Sequence, residues 1–495
     1  MSPAPAILLS LFIPLAGAVL ISLSGRWPNV REGVTLVTAT LLFLAVASLV
    51  PAVMAGGRPQ ATIIEMLPGL PIYFEVEPLG MLFALVASGL WIANSIYSIG
   101  YMRGNDEAHQ TRFYVCFALA LASTMGIAFA GNMMTLFIFY EALTLTTYPL
   151  VTHKGTPEAM RAGRTYLGIL LGTSIGLQLL AILWTWQIAG TLDFTAGGIL
   201  SGKVAGPMVG VLLLLYMYGI GKAALMPLHR WLPAAMVAPT PVSALLHAVA
   251  VVKAGVFTVM KVAVYIFGID FLRDSGQNQW LLYIAAATLL IASLVALAQD
   301  NLKARLAYST VSQLAYVVLG AALATQWGVI GGSMQIAMHA MGKITLFFCA
   351  GAIYTATHKT EISDMAGLGR AMPFTFAAFA IGSLSIIGLP PLGGSWSKWY
   401  LMLGAAETGE LLMIAVLMLS SLLNVAYLLP IVARGFFLPE VRPASVGAAA
   451  APVRSGIREA PLFCVVPLCL TAFGCLLLFF FADPLYRLLE QMVQP

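Results

Sequence analysis

Residues 219–233 read GIGKAALMPLHRWLP and follow the apolar run GPMVGVLLLLYMY at 206–218. Lys222 and Pro227 thus stand where that run has not yet ended. A charge inside a membrane helix is costly, and a proline removes a helical hydrogen bond and clashes with the preceding turn. Pro227 frees the carbonyl of Ala223, next to Lys222. Irregular backbone at membrane depth survives only where it is buried in protein or lines a cavity. Lysine and proline side by side therefore predict a broken helix with a charged group held inside the protein.

The rest of the chain sets that stretch in a membrane. Of its residues 60% are hydrophobic and only 9% charged, against about 25% charged in soluble domains. A window of roughly 20 apolar residues finds fourteen segments: 5–24, 33–55, 77–100, 113–130, 132–152, 165–187, 207–227, 240–268, 279–298, 306–324, 327–355, 372–402, 409–433 and 460–482. No strand-period stretch of barrel type interrupts them, so the expected class is an all-α polytopic membrane protein. The N-terminal MSPAPAILLSLFIPLAGAVLISLSGRW has its first basic residue, Arg26, after the apolar run. A signal peptide has the opposite polarity, which predicts a retained first helix starting outside.

Loop charges agree with that orientation. Sixteen of the 25 Lys and Arg fall in the odd-numbered loops and four, Arg58, Lys203, Arg273 and Arg487, in the even loops and C-terminal tail. The positive-inside rule then puts the odd loops in the cytoplasm and both termini outside a bacterial or archaeal inner membrane. The net charge of +5 reflects topology and gives no reason to expect nucleic acid.

Five basic residues remain, and all are lysines: Lys222, Lys253, Lys261, Lys343 and Lys398. With Glu141, the one acidic residue well inside an expected span, they make six intramembrane charges, which facing lipid would cost roughly 15–20 kcal/mol. They must face one another or internal water. Arginine stays protonated, whereas a buried lysine can release its proton near neutrality. Together with His247 and His339 the set has the chemistry of proton-holding stations. The plainer alternative is snorkelling or ion pairing, which fits Lys261 taken alone but leaves the set short of acids.

A second interruption, SIIGLPPLGGSWSKWYLM at 385–402, sets Pro390 and Pro391 beside Lys398. Paired interrupted segments in the two halves of a transporter point to its ion site and to inverted repeats. His339 and Lys343, four apart in MHAMGKITLFF, share one helix face. His247 and Lys253, six apart in VSALLHAVAVVKAGVF, need not face the same channel.

GKAALMPLHRWLPAAMVAPTPVSALLHAVAVVKAGVF at 221–257 and DNLKARLAYSTVSQLAYV at 300–317 resemble the hallmark motifs of the antiporter-like, proton-translocating membrane subunits. These occur in respiratory complex I, energy-converting hydrogenases and Mrp-type sodium/proton antiporters. The resemblance implies fourteen transmembrane helices: residues 1–112 with helices 1–3, repeats over 113–268 and 279–433 with helices 4–8 and 9–13, and 434–495 with a cytoplasmic linker and helix 14. Helices 7 and 12 are broken. It further implies that Glu141 pairs with Lys222, and that His247, Lys253, His339, Lys343 and Lys398 complete a relay. The lateral helix of the largest complex I subunit is not expected here, and Gln335 stands where some members have histidine. Those departures favour an Mrp-type antiporter subunit or a hydrogenase-type module.

The expected partners are other membrane subunits, the bilayer, and protons, with sodium as an alternative ion. No catalytic, cofactor-binding or metal-binding residue is expected. Cys116, Cys349, Cys464, Cys469 and Cys475 lack C-x-x-C spacing and read as buried apolar residues. Whether the assembly is an enzyme depends on its partners. The alternatives are the pump arm of a redox-driven or inorganic-carbon uptake complex and a self-sufficient secondary transporter. The Ala/Pro/Arg-rich stretch 441–460 reads as a flexible cytoplasmic loop.

Overall fold

The computed structural model describes residues 3–439 and 456–493. Twelve helices among them are long and apolar enough to cross a membrane. They are α1 (Pro3–Leu23), α2 (Pro28–Met54), α3 (Pro78–Gly104), α4 (Gln110–Ala128), α5 (Met133–Val151), α6 (Pro157–Ala189), α8 (Thr240–Phe267), α9 (Gln279–Ala298), α10 (Leu302–Leu323), α11 (Gln326–Thr357), α13 (Leu411–Phe437) and α14 (Leu462–Phe480). Two shorter apolar helices, Pro207–Gly219 (α7) and Pro373–Ile387 (α12a), fill the remaining expected segments. They fall short because they are the broken ones. After α12a the chain resumes as Gly394–Glu407 (α12b).

Helix starts follow local chemistry. Asn132, Asn301 and Thr325 accept from the third amide beyond them, opening α5, α10 and α11, the usual side-chain remedy for orphan helical N–H groups. The Glu77 carboxylate caps α3 from Leu79 and Gly80, with Pro78 next in sequence.

The structure adds one element to the expected fold. Residues Gln60–Leu67 (β1) and Leu70–Glu75 (β2) form an antiparallel hairpin between α2 and α3. Gly69 turns it at φ +77°, a conformation glycine adopts without a Cβ clash. Strands of eight and six residues are too short for a window of membrane length, so that reading passes over the hairpin.

The breaks also differ from expectation in their limits. α7 ends at Gly219, three residues before Lys222, which lies in a 3-10 turn, Gly221–Ala223. Ala224 is left-handed at φ +54°, and the Met226–Pro227 peptide is cis. Pro227 therefore sits within a break that has already begun at the glycines. In the second break Gly388 is left-handed at φ +89° and Pro390–Pro391 is cis. Lys398 lies inside α12b, after the break.

The core centres on α8, whose span is wholly buried, flanked by the nearly buried α10 and α11. α8 carries π-helical turns at Leu245–Val249 and Val262–Phe267. Gly255 lets α8 lie directly on the Lys222–Ala223 backbone, where any Cβ would collide. Of the stretch expected as a loop at 441–460, residues up to 455 lie outside the described set. Beyond them the Glu459 carboxylate accepts from the Phe374 and Thr375 amides at 2.7 and 3.2 Å, capping α12a.

Candidate functional site

Lys222, Lys253, Lys343, His247 and His339 are all buried, and Lys398 nearly so. Because Lys222 sits in the break rather than on a helix, its amine can turn sideways onto α5. Nζ donates to the Tyr140 carbonyl at 2.7 Å and to Thr144 Oγ1 at 2.6 Å, and lies 3.2 Å from the centre of the Tyr140 ring. The Tyr140 hydroxyl in turn accepts from the Lys222 backbone N–H at 3.1 Å. Trp231 Nε1 holds the Gly221 carbonyl at 3.0 Å, tying the far end of the break to its start.

The Glu141–Lys222 pair implied by the resemblance is not closed. Both Glu141 carboxylate oxygens are buried without a hydrogen-bond partner among the described residues. Tyr140 and Thr144 share a face of α5, and Glu141 is about 100° round from Tyr140. The lysine is thus held by the neighbouring face.

The centre is formed by two helices. Lys253 Nζ on α8 contacts His339 Nδ1 on α11 in a short hydrogen bond. His339 thus pairs with Lys253 across the helices rather than with its own-helix neighbour Lys343, and its Nε2 has no partner among the described residues. His247 packs against the Phe347 ring at 4.7 Å, and both its ring nitrogens are unpartnered among the described residues. One turn from His339, Gln335 donates to Gln313 at 2.7 Å and accepts from Ser397 Oγ at 2.5 Å. That bond reaches α12b.

At the second break the geometry is different. Lys343 donates to the Leu306 carbonyl at 3.1 Å and to Ser309 Oγ at 2.7 Å. Lys398 reaches back across the break to the Ile387 carbonyl at 2.7 Å, the last residue of α12a, and to Ser421 Oγ at 3.0 Å. A cation on a helix C-terminus meets the negative end of the peptide dipoles.

Lys261 stands apart from these. Its Nζ is 3.0 Å from Glu77 Oε1, with both side chains buried. The Tyr265 hydroxyl donates to Glu77 Oε2 at 2.8 Å, and the Phe194 ring covers the amine at 4.1 Å. The sequence reading that left Glu141 as the one intramembrane acid is corrected: Glu77 stands at the boundary of its span and turns inward because it caps α3. Its position just before Pro78 and an apolar run was the available signal. Among the described residues no group of three or more His, Cys, Asp or Glu is placed to hold a metal ion.

Residues 130–424 match the family described as NADH:quinone oxidoreductase/Mrp antiporter, TM. The chain belongs to that family. NADH-quinone oxidoreductase subunit N of Desulforudis audaxviator is 31% identical over 99% of this chain and 97% of its own. The fold matches a chain of the Mrp complex from Dietzia sp. with a TM-score of 0.87 at 23% identity, over 99% of this chain and 97% of that one. It also matches a chain of the membrane-bound sulfane sulfur reductase, an archaeal respiratory membrane complex, at a TM-score of 0.83 and 24% identity, over 98% and 96%. The family description itself names two kinds of assembly, and the likeness to the two solved chains is one of fold.

Proposed function

We propose that this chain is a proton-translocating membrane subunit of a multisubunit complex, moving protons along Glu141, Lys222, His247, Lys253, His339, Lys343 and Lys398. The observation that carries the reading is the Lys253–His339 contact. It joins two buried basic groups on α8 and α11 in a chain of the antiporter family. One nitrogen of such a pair can hold the proton the other lacks, at no cost in net charge.

The division into inverted repeats at 113–268 and 279–433 is supported by the broken fourth helix in each, α7 and α12. Pro227, Pro390 and Pro391 mark those breaks. The basic odd-numbered loops support an orientation with both termini outside a bacterial or archaeal cytoplasmic membrane. Glu141, whose carboxylate oxygens are buried without a hydrogen-bond partner among the described residues, is the group free to take one. Its approach to Lys222 holds that lysine protonated, and its withdrawal releases the proton.

The complex is purified from native membranes in mild detergent, its partners identified, and the assembly reconstituted in vesicles with a pH-sensitive dye. Proton movement is expected from the intact assembly and is lost in His339→Ala. Small membrane partners without redox centres make it an Mrp-type antiporter, where sodium is the alternative ion. Iron–sulfur, nickel or flavin subunits make it a pump arm. Full activity of the isolated chain would overturn the multisubunit reading.

A further inference from the structure

α13 is an apolar helix with one polar stripe: Ser420, Ser421, Asn424 and Tyr427. Residues 420, 424 and 427 share a helix face, and all three are fully buried. The stripe is turned toward Ser309 and Tyr316 of α10, which are equally buried. Burying five such groups in a membrane protein is expensive unless they find partners, and of the five only Ser309 bonds a lysine directly.

Starting at Lys343, the contacts run without a gap through three side chains. Lys343 Nζ donates to Ser309 Oγ at 2.7 Å, and Tyr427 Oη lies 2.9 Å from the same oxygen. The Tyr427 hydroxyl also makes a short hydrogen bond to Asn424 Oδ1. From Lys398, Nζ donates to Ser421 Oγ at 3.0 Å and lies 4.9 Å from the centre of the Tyr316 ring. Between these two runs stand three buried atoms without a hydrogen-bond partner among the described residues: Tyr316 Oη, Ser420 Oγ and Asn424 Nδ2. They are near one another, since the Tyr316 hydroxyl faces Ser420, Ser421 and Asn424. Buried polar groups that lack a protein partner are satisfied by ordered water, which needs two to four of them around it. These three unpartnered atoms are the groups that one bridging water would bond.

We infer that Ser309, Tyr427 and Ser421, completed by water held between Tyr316, Ser420 and Asn424, form the hydroxyl link that carries protons between Lys343 and Lys398. The step balances. The Lys343 ammonium gives one proton to Ser309 Oγ, which passes its own to Tyr427 Oη. Tyr427 turns its hydroxyl from Asn424 to pass its own to the water, the water passes one to Ser421 Oγ, and Ser421 passes its own to the neutral Lys398 amine. Each hydroxyl regains what it loses, and one positive charge moves from Lys343 to Lys398. Asn424 Oδ1 accepts only, and an amide oxygen is a poor proton carrier, so Asn424 is a positioning residue that aims Tyr427. The inference rests on the proposed proton relay and adds the residues that join its last two lysines.

The test uses the assembled complex in vesicles, comparing Tyr427→Phe with Tyr216→Phe. Tyr216 is a buried tyrosine bonded to Thr185 at 2.8 Å, outside the stripe. Proton transport and its solvent deuterium isotope effect are both read. Tyr427→Phe keeps the ring and removes the relay oxygen; transport is expected to fall about tenfold or more and its isotope effect to rise, while Tyr216→Phe behaves as the parent. Unchanged transport in assembled Tyr427→Phe overturns the link. Slower transport with an unchanged isotope effect also overturns it, because a packing role slows every step alike. If Tyr427→Phe does not assemble, Ser309→Ala against Ser309→Thr decides by the same readings, the threonine keeping the hydroxyl. A parent complex that moves no protons sinks the relay itself, which is a different failure.

Discussion

Lys261 Nζ and Glu77 Oε1 stand 3.0 Å apart, both shut away from solvent, pinning the C-terminal turns of α8 to the first turn of α3. Breaking such a pair leaves an uncompensated buried charge and costs about 3–5 kcal/mol. Replacing both partners with neutral groups is far milder. Lys261→Met alone is expected to lose assembled protein, and Lys261→Met with Glu77→Gln to recover most of it. Retained proton transport in the double variant, measured in vesicles, separates this pair from the relay. Its loss in a fully assembled double variant would place Lys261 among the proton carriers.

Lys222 offers a sharper substitution. Arginine keeps the charge but cannot give up its proton, and alanine removes both. Lys222→Ala and Lys222→Arg are both expected to abolish proton transport in assembled complex. Full transport in either variant would end its assignment as a proton station.

The Lys253–His339 contact predicts non-additivity. Neighbours sharing a hydrogen bond show coupling of about 0.5–3 kcal/mol in a double-mutant cycle. Lys253→Met and His339→Ala, alone and combined, are expected to give a coupling in that range for thermal stability of the complex. A coupling near zero would mean that the two groups do not meet.

Gly255 tests the closeness of α8 to the first break. A Cβ there would strike the Lys222–Ala223 backbone, and overpacking costs about 1–3 kcal/mol. Gly255→Val is expected to lower the melting temperature and displace Lys222, reducing transport. Gly168→Val, with nothing near its Cβ, is the control and should leave transport as it is.

His153, beyond the end of α5, supplies a pH control. Burial and the Arg112 guanidinium push its pKa down to about 4. A histidine whose folded pKa is depressed contributes stability that is complete above the unfolded value, about 6.5. That contribution is lost as pH falls toward 4. His153→Gln is therefore expected to leave the transport profile between pH 5 and 8 unchanged and to flatten the loss of stability between about pH 6.5 and about 4. A transport inflection within that profile that vanishes in His153→Gln would contradict this.

Segments long enough to span a bilayer and the lysines inside them were legible from composition and window length, because both depend on residues close in sequence. So were the two interruptions, since Gly and Pro act on the backbone next to them. Their limits were less so: the first break begins at Gly219, and Pro227 reads as its cause only when the glycines before it are discounted. The hairpin at 60–75 escaped because a short extramembrane element leaves the apolar windows undisturbed.

Partner choice belongs to the tertiary structure. No spacing in the chain could say that Lys253 meets His339, 86 residues away, or that Lys261 meets Glu77 across 184. Nor could it say that Lys222 leaves Glu141 for Thr144, one turn farther along the same helix. A buried charge takes whichever partner the packed helices bring within about 3 Å, and that depends on crossing helices and the rotation of each. The sequence by itself determined the solvent, the order of the apolar segments and the kind of chemistry buried in them. Which groups share a proton was decided by the fold, because a hydrogen bond requires contact in space.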